Sequence, residues 1–220
     1  MAPRGPLTFP RMLLDLIDSL RCPNNHDEIA LVCVAYQSRD RELDEGLLGC
    51  PLCLAQFGVR EGVAWFGETP PGVLPAGLGT VADDESLALR TAALLDLSTP
   101  GGLVAFSGGA ASYARGVAER SGVHAVVVNV AVVWPGLVSA LCGVHTLPLA
   151  AGALRGAVLD ESGAALSAST ARAVRVGGRL IAPVTWSIPE DYRELARDER
   201  QWVAEHESAR SRPIALRVAR

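Results

Sequence analysis

From Asp83 onward, short apolar runs alternate with helix-length segments, and this alternation limits the possible folds more than any other feature. Residues 84–95 read as a helix with Asp83 or Asp84 as N-cap. Residues 103–106 read as a strand, 107–111 as a Gly/Ala/Ser turn and 112–121 as a helix. Residues 125–129 form an all-apolar strand that ends on a polar residue. Residues 154–159 are a further strand, 167–176 a helix and 178–183 the next strand. A charged helix over 192–208 and a closing strand over 213–218 complete the series. Strands that alternate with helices, with apolar runs lacking a polar face, predict a parallel sheet covered on both sides.

The first 66 residues follow a different pattern. Met12, Leu13, Leu16, Ile17 and Leu20 lie at helical spacing, which predicts an amphipathic helix over 11–20. Strands are expected over 29–36 and around 56–65, with a charged loop over 38–45 between them. Residues 67–79 hold Pro70, Pro71 and Pro75 with four Gly and show no periodicity. The expected organisation is a small domain over 1–66, a Pro/Gly-rich linker over 67–82 and a larger domain over 83–220.

Nearly half of the 220 residues are apolar (49%), enough for a sizeable core. The net charge is −4 and every basic residue is Arg. The charges are dispersed and no basic stripe interleaves with aromatics, so direct nucleic-acid binding is not expected. The start lacks the long apolar stretch and small-residue cleavage site of a signal peptide. Residues 125–144 are nearly uncharged and long enough to approach a bilayer span. Asn129, the Pro135-Gly136 break and the many Val residues favour two pieces, a buried parallel strand and a helix or loop. No transmembrane segment is expected, and the localisation expected is cytoplasmic.

Four of the five Cys fall in the first quarter of the chain. Without a secretory signal, a disulfide framework is disfavoured. Cys22-Pro-Asn-Asn-His26 and Cys50-Pro-Leu-Cys53 form two turns, each starting with Cys-Pro. A Cys-x-x-Cys turn aims two thiolates at one point, and a second turn can complete a tetrahedral zinc site. Cys22, His26, Cys50 and Cys53 are therefore the candidate metal ligands, and zinc is the expected metal. His26 lies one residue beyond the usual second-ligand position, which Asn25 holds. A turn that packs without metal and a redox Cys-x-x-Cys remain as alternatives. Cys33, within an alternating strand, and Cys142 read as small buried residues.

Around these ligands the sequence is more specific. Leu14-Asp15-Leu16-Ile17, Leu20-Arg21-Cys22-Pro23, Gly49-Cys50-Pro51-Leu52-Cys53 and Phe57-Gly58-Val59-Arg60-Glu61-Gly62-Val63 resemble the small zinc-binding activator subunits of RNA and release-factor methyltransferases, bacterial relatives included. The resemblance covers about residues 11–66. It implies a folded docking module without an active site.

Residues 85–220 resemble a class I S-adenosylmethionine-dependent methyltransferase domain. The likeness is carried by strand, glycine turn and helix over 103–119, by Leu147-Pro148-Leu149 through Asp160, and by Ala171 to Pro183 with Gly177-Gly178. The family's cofactor chemistry uses an acid and three glycines in the first turn, an acid after the second strand and a third acid near the adenine. Here Ala105 stands at the first acid, with Ser107, Gly109 and Ala111 at the glycines. Asn129 replaces the ribose acid, and Gly143 stands near the adenine acid. Ser107, Gly108, Gly109 and Asn129 thus mark a degenerate cofactor site that is expected to be empty of S-adenosylmethionine.

No catalytic set emerges. His124 and His145 lack a spaced acid or nucleophile. Ser107 lacks the Gly-x-Ser-x-Gly frame of a nucleophile elbow. Asp160 and Glu161, at a strand end, are the best residual polar candidates. The expectation is an α/β protein with a Rossmann-like methyltransferase-type sheet, preceded by a small zinc-ribbon-like α+β domain. Its expected role is that of a non-catalytic interaction or scaffold protein, a pseudo-methyltransferase that acts through a protein partner or larger complex. A methyltransferase with a divergent cofactor site and a small-molecule sensor using the residual cleft are the alternatives.

Overall fold

The computed structural model describes residues 12–67, 84–130 and 137–208. The N-terminal part opens with strand β1 (Met12–Leu13) and a one-turn helix α1 (Leu14–Ile17). The helix predicted over 11–20 is therefore shorter than expected (Arg11 lies outside the described residues). Tertiary pairing cuts it off: Leu20 bridges to Leu149, and Arg21 N donates to the Pro148 carbonyl.

Two hairpins follow. Strand β2 (Val32–Arg39) pairs with β3 (Glu42–Gly49), and β4 (Gln56–Arg60) pairs with β5 (Val63–Trp65). The charged stretch 38–45 is thus hairpin rather than loop. Its turn residues, Asp40 and Arg41, both have positive φ, at 51° and 65°. Positive φ at both central residues suits the right-handed strand twist. Glu61 and Gly62 do the same at the second hairpin.

In the larger part, α2 (Glu85–Leu94) starts where predicted, with the Asp84 side chain accepting from Leu87 N. Strand β6 (Leu103–Ser107) runs into a 3-10 turn (Gly108–Tyr113) and α3 (Ala114–Ser121). Then come β7 (His124–Val128), β8 (Val138–Cys142), β9 (Leu154–Val158), a second 3-10 turn (Glu161–Leu166), α4 (Ser167–Ala173) and β10 (Val174–Pro183). The second piece of 125–144 is therefore a strand, where a helix or loop was expected. Among the described residues, no helix is long and apolar enough to cross a membrane.

The expected charged helix over 192–208 is instead a hairpin of β11 (Tyr192–Arg197) and β12 (Gln201–His206). Asp198 closes it, its carboxylate accepting from Arg200 N and Gln201 N at 2.8 Å each. The strand expected over 213–218 lies outside the described residues.

The main path of the sheet is ordered β1-β3-β4-β5-β8-β7-β6-β9-β10-β12-β11. The pairs from β5 through β8, β7, β6 and β9 to β10 are parallel, and the hairpin β11–β12 adds antiparallel strands at the end. The architecture is α/β, with a Rossmann-like methyltransferase-type sheet preceded by the smaller N-terminal part. The strand order reverses between β6 and β9, and in such sheets the ligand crevice opens beyond the carboxyl ends of those two strands.

Alternation within each parallel strand feeds two cores. Ala105, Val126, Val128 and Leu141 join Met12, Leu16, Leu20 and Leu48 on one face. Val104, Phe106, Ala125 and Val127 meet Ala88 of α2 and Val117 of α3 on the other. Sheet and first core both run across the boundary placed at 67–82. Val63↔Ala140 and Trp65↔Cys142 are register partners, and Leu13 N donates to Ser139 Oγ at 3.1 Å.

Candidate metal centre and the strand-switch crevice

The four expected ligands converge. One donor atom each from Cys22, His26, Cys50 and Cys53 lies within 4.8 Å of the other three. Cys22 Sγ and Cys53 Sγ are 3.7 Å apart, and Cys50 Sγ is 3.5 Å from His26 Nε2. A tetrahedron with zinc–sulfur arms of about 2.3 Å has edges of about 3.8 Å, slightly shorter where nitrogen replaces sulfur. Those two distances match tetrahedral edges, and the 4.8 Å bound on the group leaves at most about 1 Å of closing-in for zinc.

Local backbone sets up the two turns. Cys50 N donates to the Ala55 carbonyl and Leu54 N to the Cys50 carbonyl, which forces Leu54 to a φ of 61°. Cys53 N points at Cys50 Sγ (3.5 Å) and Asn24 Nδ2 at Cys53 Sγ (3.3 Å). His26 Nδ1 donates to the Asp27 carbonyl at 2.7 Å. That bond fixes the tautomer and leaves Nε2 as the ligand atom, the usual outer support of a metal-bound imidazole. The extra residue before His26 is accommodated because the ring reaches further than a Cys side chain and binds through its distal nitrogen.

The acidities are split in a way that suits a cation. Cys53 is held down to about 6, first by the Ala55 backbone N–H and then by the Asn24 amide. Burial would raise Cys50, but the backbone N–H groups of Cys53 and Leu52 bring it below the ordinary thiol value. Burial, with two thiols alongside, pushes Cys22 up to about 12. The Asp27 carbonyl raises His26. Three sulfurs this close cannot all ionise unless a positive charge sits among them.

The crevice at the strand switch is different. The Asp160 carboxylate lies across the glycine turn, with Oδ2 accepting from Gly109 N at 2.6 Å and Oδ1 from Ser162 N at 3.1 Å. Gly108 has a φ of 53°, and a Cβ there would collide with both carboxylate oxygens. Ser107 is buried, and its hydroxyl accepts from Asp160 N (3.4 Å) beneath Gly163. No base faces it.

Asn129, with a φ of 57°, is bidentate to one residue: Nδ2 donates to the Val144 carbonyl (2.7 Å) and Oδ1 accepts from Val144 N (2.9 Å). Gly143 packs on Gly67, so closely that a Cβ would lie 2.7 Å from Gly67 N. Glu161, the other residual acid, accepts from Thr185 Oγ1 and Trp186 Nε1. Both acids thus hold loops.

The remaining candidates stay apart from both places. His124 is buried and bonded to Ser139 Oγ at 2.7 Å, while His145 is exposed. Cys142 is buried and Cys33 half-buried, and burial raises both thiols. The sequence reading missed the Asp160 clamp. The two partners lie 51 residues apart, and no local pattern marks their meeting.

No family model matches the chain, and no curated protein matches it by sequence. Solved structures with a similar fold include the antibiotic-resistance methyltransferase Kmr, at 14% identity over 56% of this chain and 93% of that one, with a TM-score of 0.39. The [4+2]-cyclase SpnF matches at 18% identity over 44% of each chain, with a TM-score of 0.38. The phosphoethanolamine N-methyltransferase 2 of Haemonchus contortus, in complex with S-adenosyl-L-methionine, matches at 10% identity over 80% of this chain and 50% of that one, with a TM-score of 0.40. The chain spans about half the length of the last two. These likenesses concern the fold alone.

Proposed function

We propose that this chain is a zinc-ordered interaction protein in which a methyltransferase-type sheet serves as scaffold and no longer carries methyl transfer. The observation that carries the reading is the state of the strand-switch crevice. The groups that would greet a cofactor there are bonded to one another: Asp160 to Gly109, and Asn129 to Val144. A ligand bearing ribose hydroxyls and an adenine amine would have to break those bonds before making its own, and sites built on hydrogen bonds reject mismatched partners strongly.

In this reading Cys22, His26, Cys50 and Cys53 hold one zinc ion, which contributes to folding and leaves no open coordination position. The resemblance of residues 11–66 to methyltransferase activators supplies a history for the shared sheet. A contact once made between two chains is here made within one, through β5 on β8. The surface left for a partner then includes the outward side of β2, where Val32, Val34 and Tyr36 are exposed, and Leu52 and Leu54 beside the metal turn.

Calorimetric titration with S-adenosylmethionine, with elemental analysis of the same sample, tests both halves. One zinc per chain and no binding tighter than about 50 µM are expected. A tighter constant would restore the methyltransferase reading, and zinc-free folded protein would remove the metal from the proposal.

A further inference from the structure

After β10 the chain makes an eight-residue connection, 184–191, and turns back as β11 without forming a helix. The sheet face beneath, formed by Leu180, Ala182 and Trp202, is buried although, among the described residues, this connection lays no helix on it. A cavity of about 740 Å³ remains between α4 and this connection. Close-packed interiors hold few voids larger than a water molecule, whereas small-molecule sites span about 300–1,000 Å³. The cavity lies on the face that carries α4 and the N-terminal part, and none of the candidate residues above lines it, although Leu159 beside Asp160 and Trp186, bonded to Glu161, do.

Its two walls differ in kind. The α4 wall carries small side chains, Ser167, Ala168 and Ala171, and the opposite wall carries the rings of Trp186, Tyr192 and Trp202. Each ring has its polar tip bonded to protein. Trp202 Nε1 donates to the Trp186 carbonyl (2.9 Å), Trp186 Nε1 to Glu161 (3.0 Å) and Tyr192 Oη to the Ala171 carbonyl (2.7 Å). His206 stacks on Tyr192 with centroids 4.8 Å apart, its Nδ1 donating to the Val174 carbonyl. The charged members of the lining, Arg172 and Asp191, are solvent-exposed, and Arg172 is already paired with Glu28 and with the Leu149 carbonyl. What the slot offers a ligand is chiefly the half-buried Trp186 ring and aliphatic surface, over a floor that includes the buried Trp202 and Tyr192, with the Ser167 and Ser187 hydroxyls as minor polar contacts.

From this geometry we infer that the slot between α4 and β10–β12 is a binding site for a neutral, flat, largely apolar small molecule with fused or linked rings. A small-residue wall facing an aromatic wall favours a planar body, and bonded polar tips disfavour charged ligands, which would be desolvated without a partner. The site does not depend on whether the cofactor crevice is live.

The test uses the zinc-replete full chain and N-phenyl-1-naphthylamine, a neutral dye that brightens in apolar surroundings. Saturable binding at one site per chain is expected, with energy transfer from tryptophan. Ala168→Trp and, separately, Ala151→Trp place a ring in the slot from exposed positions, and each should weaken binding about tenfold or more, equal to about 1.4 kcal/mol, with the melting temperature unchanged. Undiminished binding by both folded variants would overturn the site. Equal or tighter binding of anionic 8-anilino-1-naphthalenesulfonate would overturn the ligand class. If Ile214→Asp with Leu216→Asp in the full chain raised dye affinity about tenfold, the chain's own C-terminal residues would be the occupant and the proposal would fall.

Discussion

The metal turn and the strand-switch crevice both gather groups able to do chemistry, yet they differ in where those groups point. At the metal turn, the donor atoms face each other at tetrahedral spacing, and backbone N–H groups support them from behind. At the crevice, the Asp160 carboxylate is taken up by the glycine turn and the Asn129 amide by the Val144 backbone. A live ligand site leaves bonding capacity directed at a shared empty point. On the reading proposed above, the crevice has folded that capacity back into the scaffold. The residue types are readable from sequence in both places, their convergence only at the Cys-x-x-Cys turn.

Loss of the metal should reach furthest through the molecule. Cys50 is buried in the core that the N-terminal part shares with the sheet. Stripping zinc with a strong chelator, or making Cys50→Ser, should therefore destabilise the whole chain and not just its first 66 residues. Loss of even about 5 kcal/mol, well below the binding free energy of structural zinc, would lower the melting temperature by about 10–20 °C at this size. Calorimetry on metal-loaded and stripped protein checks it. A single transition that does not move would show the turns to be packed without need of a cation.

Buried His124 sharpens the rule from the other side. Among the described residues its Nδ1 has no hydrogen-bond partner, and His124 belongs to no group of metal-type donors. Burial pushes His124 down to about 4, against about 6.5 unfolded. Between those values the unfolded chain binds the extra proton. This contribution is thus fully present above about pH 6.5 and is lost as pH falls towards 4, by about 3 kcal/mol in all. Zinc release also destabilises in acid, so the readout is the difference between the parent and His124→Leu in urea midpoints across pH 4–7. The variant should lose less stability over that range. Parallel curves would mean that His124 is protonated in the fold.

The same contrast between local pattern and distant partner explains what was legible. The parallel strands β6, β7, β9 and β10 are apolar runs with few other uses, and α2 carries its own cap at Asp84. Cys-Pro turns marked the converging Cys22, His26, Cys50 and Cys53 group through spacing alone. The hairpin 192–206 was not legible, because its dense charges, with Glu194 and Arg197 paired at i,i+3, mimic the pattern of an exposed helix. The usable signals were Asp198 at the turn and the consecutive buried run Trp202-Val203-Ala204, which a surface helix would not bury together. The β2–β3 turn hid because Asp40-Arg41 takes the positive-φ positions that Asn-Gly would advertise.

A smaller effect tests the crevice itself. Asp160→Ala removes the carboxylate that satisfies Gly109 N and Ser162 N, a loss comparable to a helix N-cap at about 0.5–2 kcal/mol. Denaturant melts should show that cost, and titration with S-adenosylmethionine should still show no binding. Binding gained in this variant would mean that the carboxylate latches a functional pocket shut, and the contrast with the metal turn would become one of regulation.

The smallest effect is the most discriminating. Asn129→Asp restores the acid that the methyltransferase resemblance leads one to expect after the second strand. In this fold, however, the side chain must both donate to the Val144 carbonyl and accept from Val144 N. A carboxylate can only accept, so one bond is lost and a carbonyl oxygen is brought against a negative charge. The expected cost is about 1 kcal/mol, smaller where solvent reaches the site, since Asn129 is exposed. Positive φ at residue 129 is no obstacle, because Asp tolerates the left-handed region nearly as well as Asn. The backbone should therefore keep its shape, and the variant isolates the chemistry of the side chain. If the crevice is retired, the new carboxylate stays on Val144 N, Asp160 stays on the glycine turn and cofactor affinity remains undetectable. If one substitution recovers micromolar binding with no loss of stability, the Asn129–Val144 bond was never a structural commitment, and the distinction drawn between the two sites would not hold.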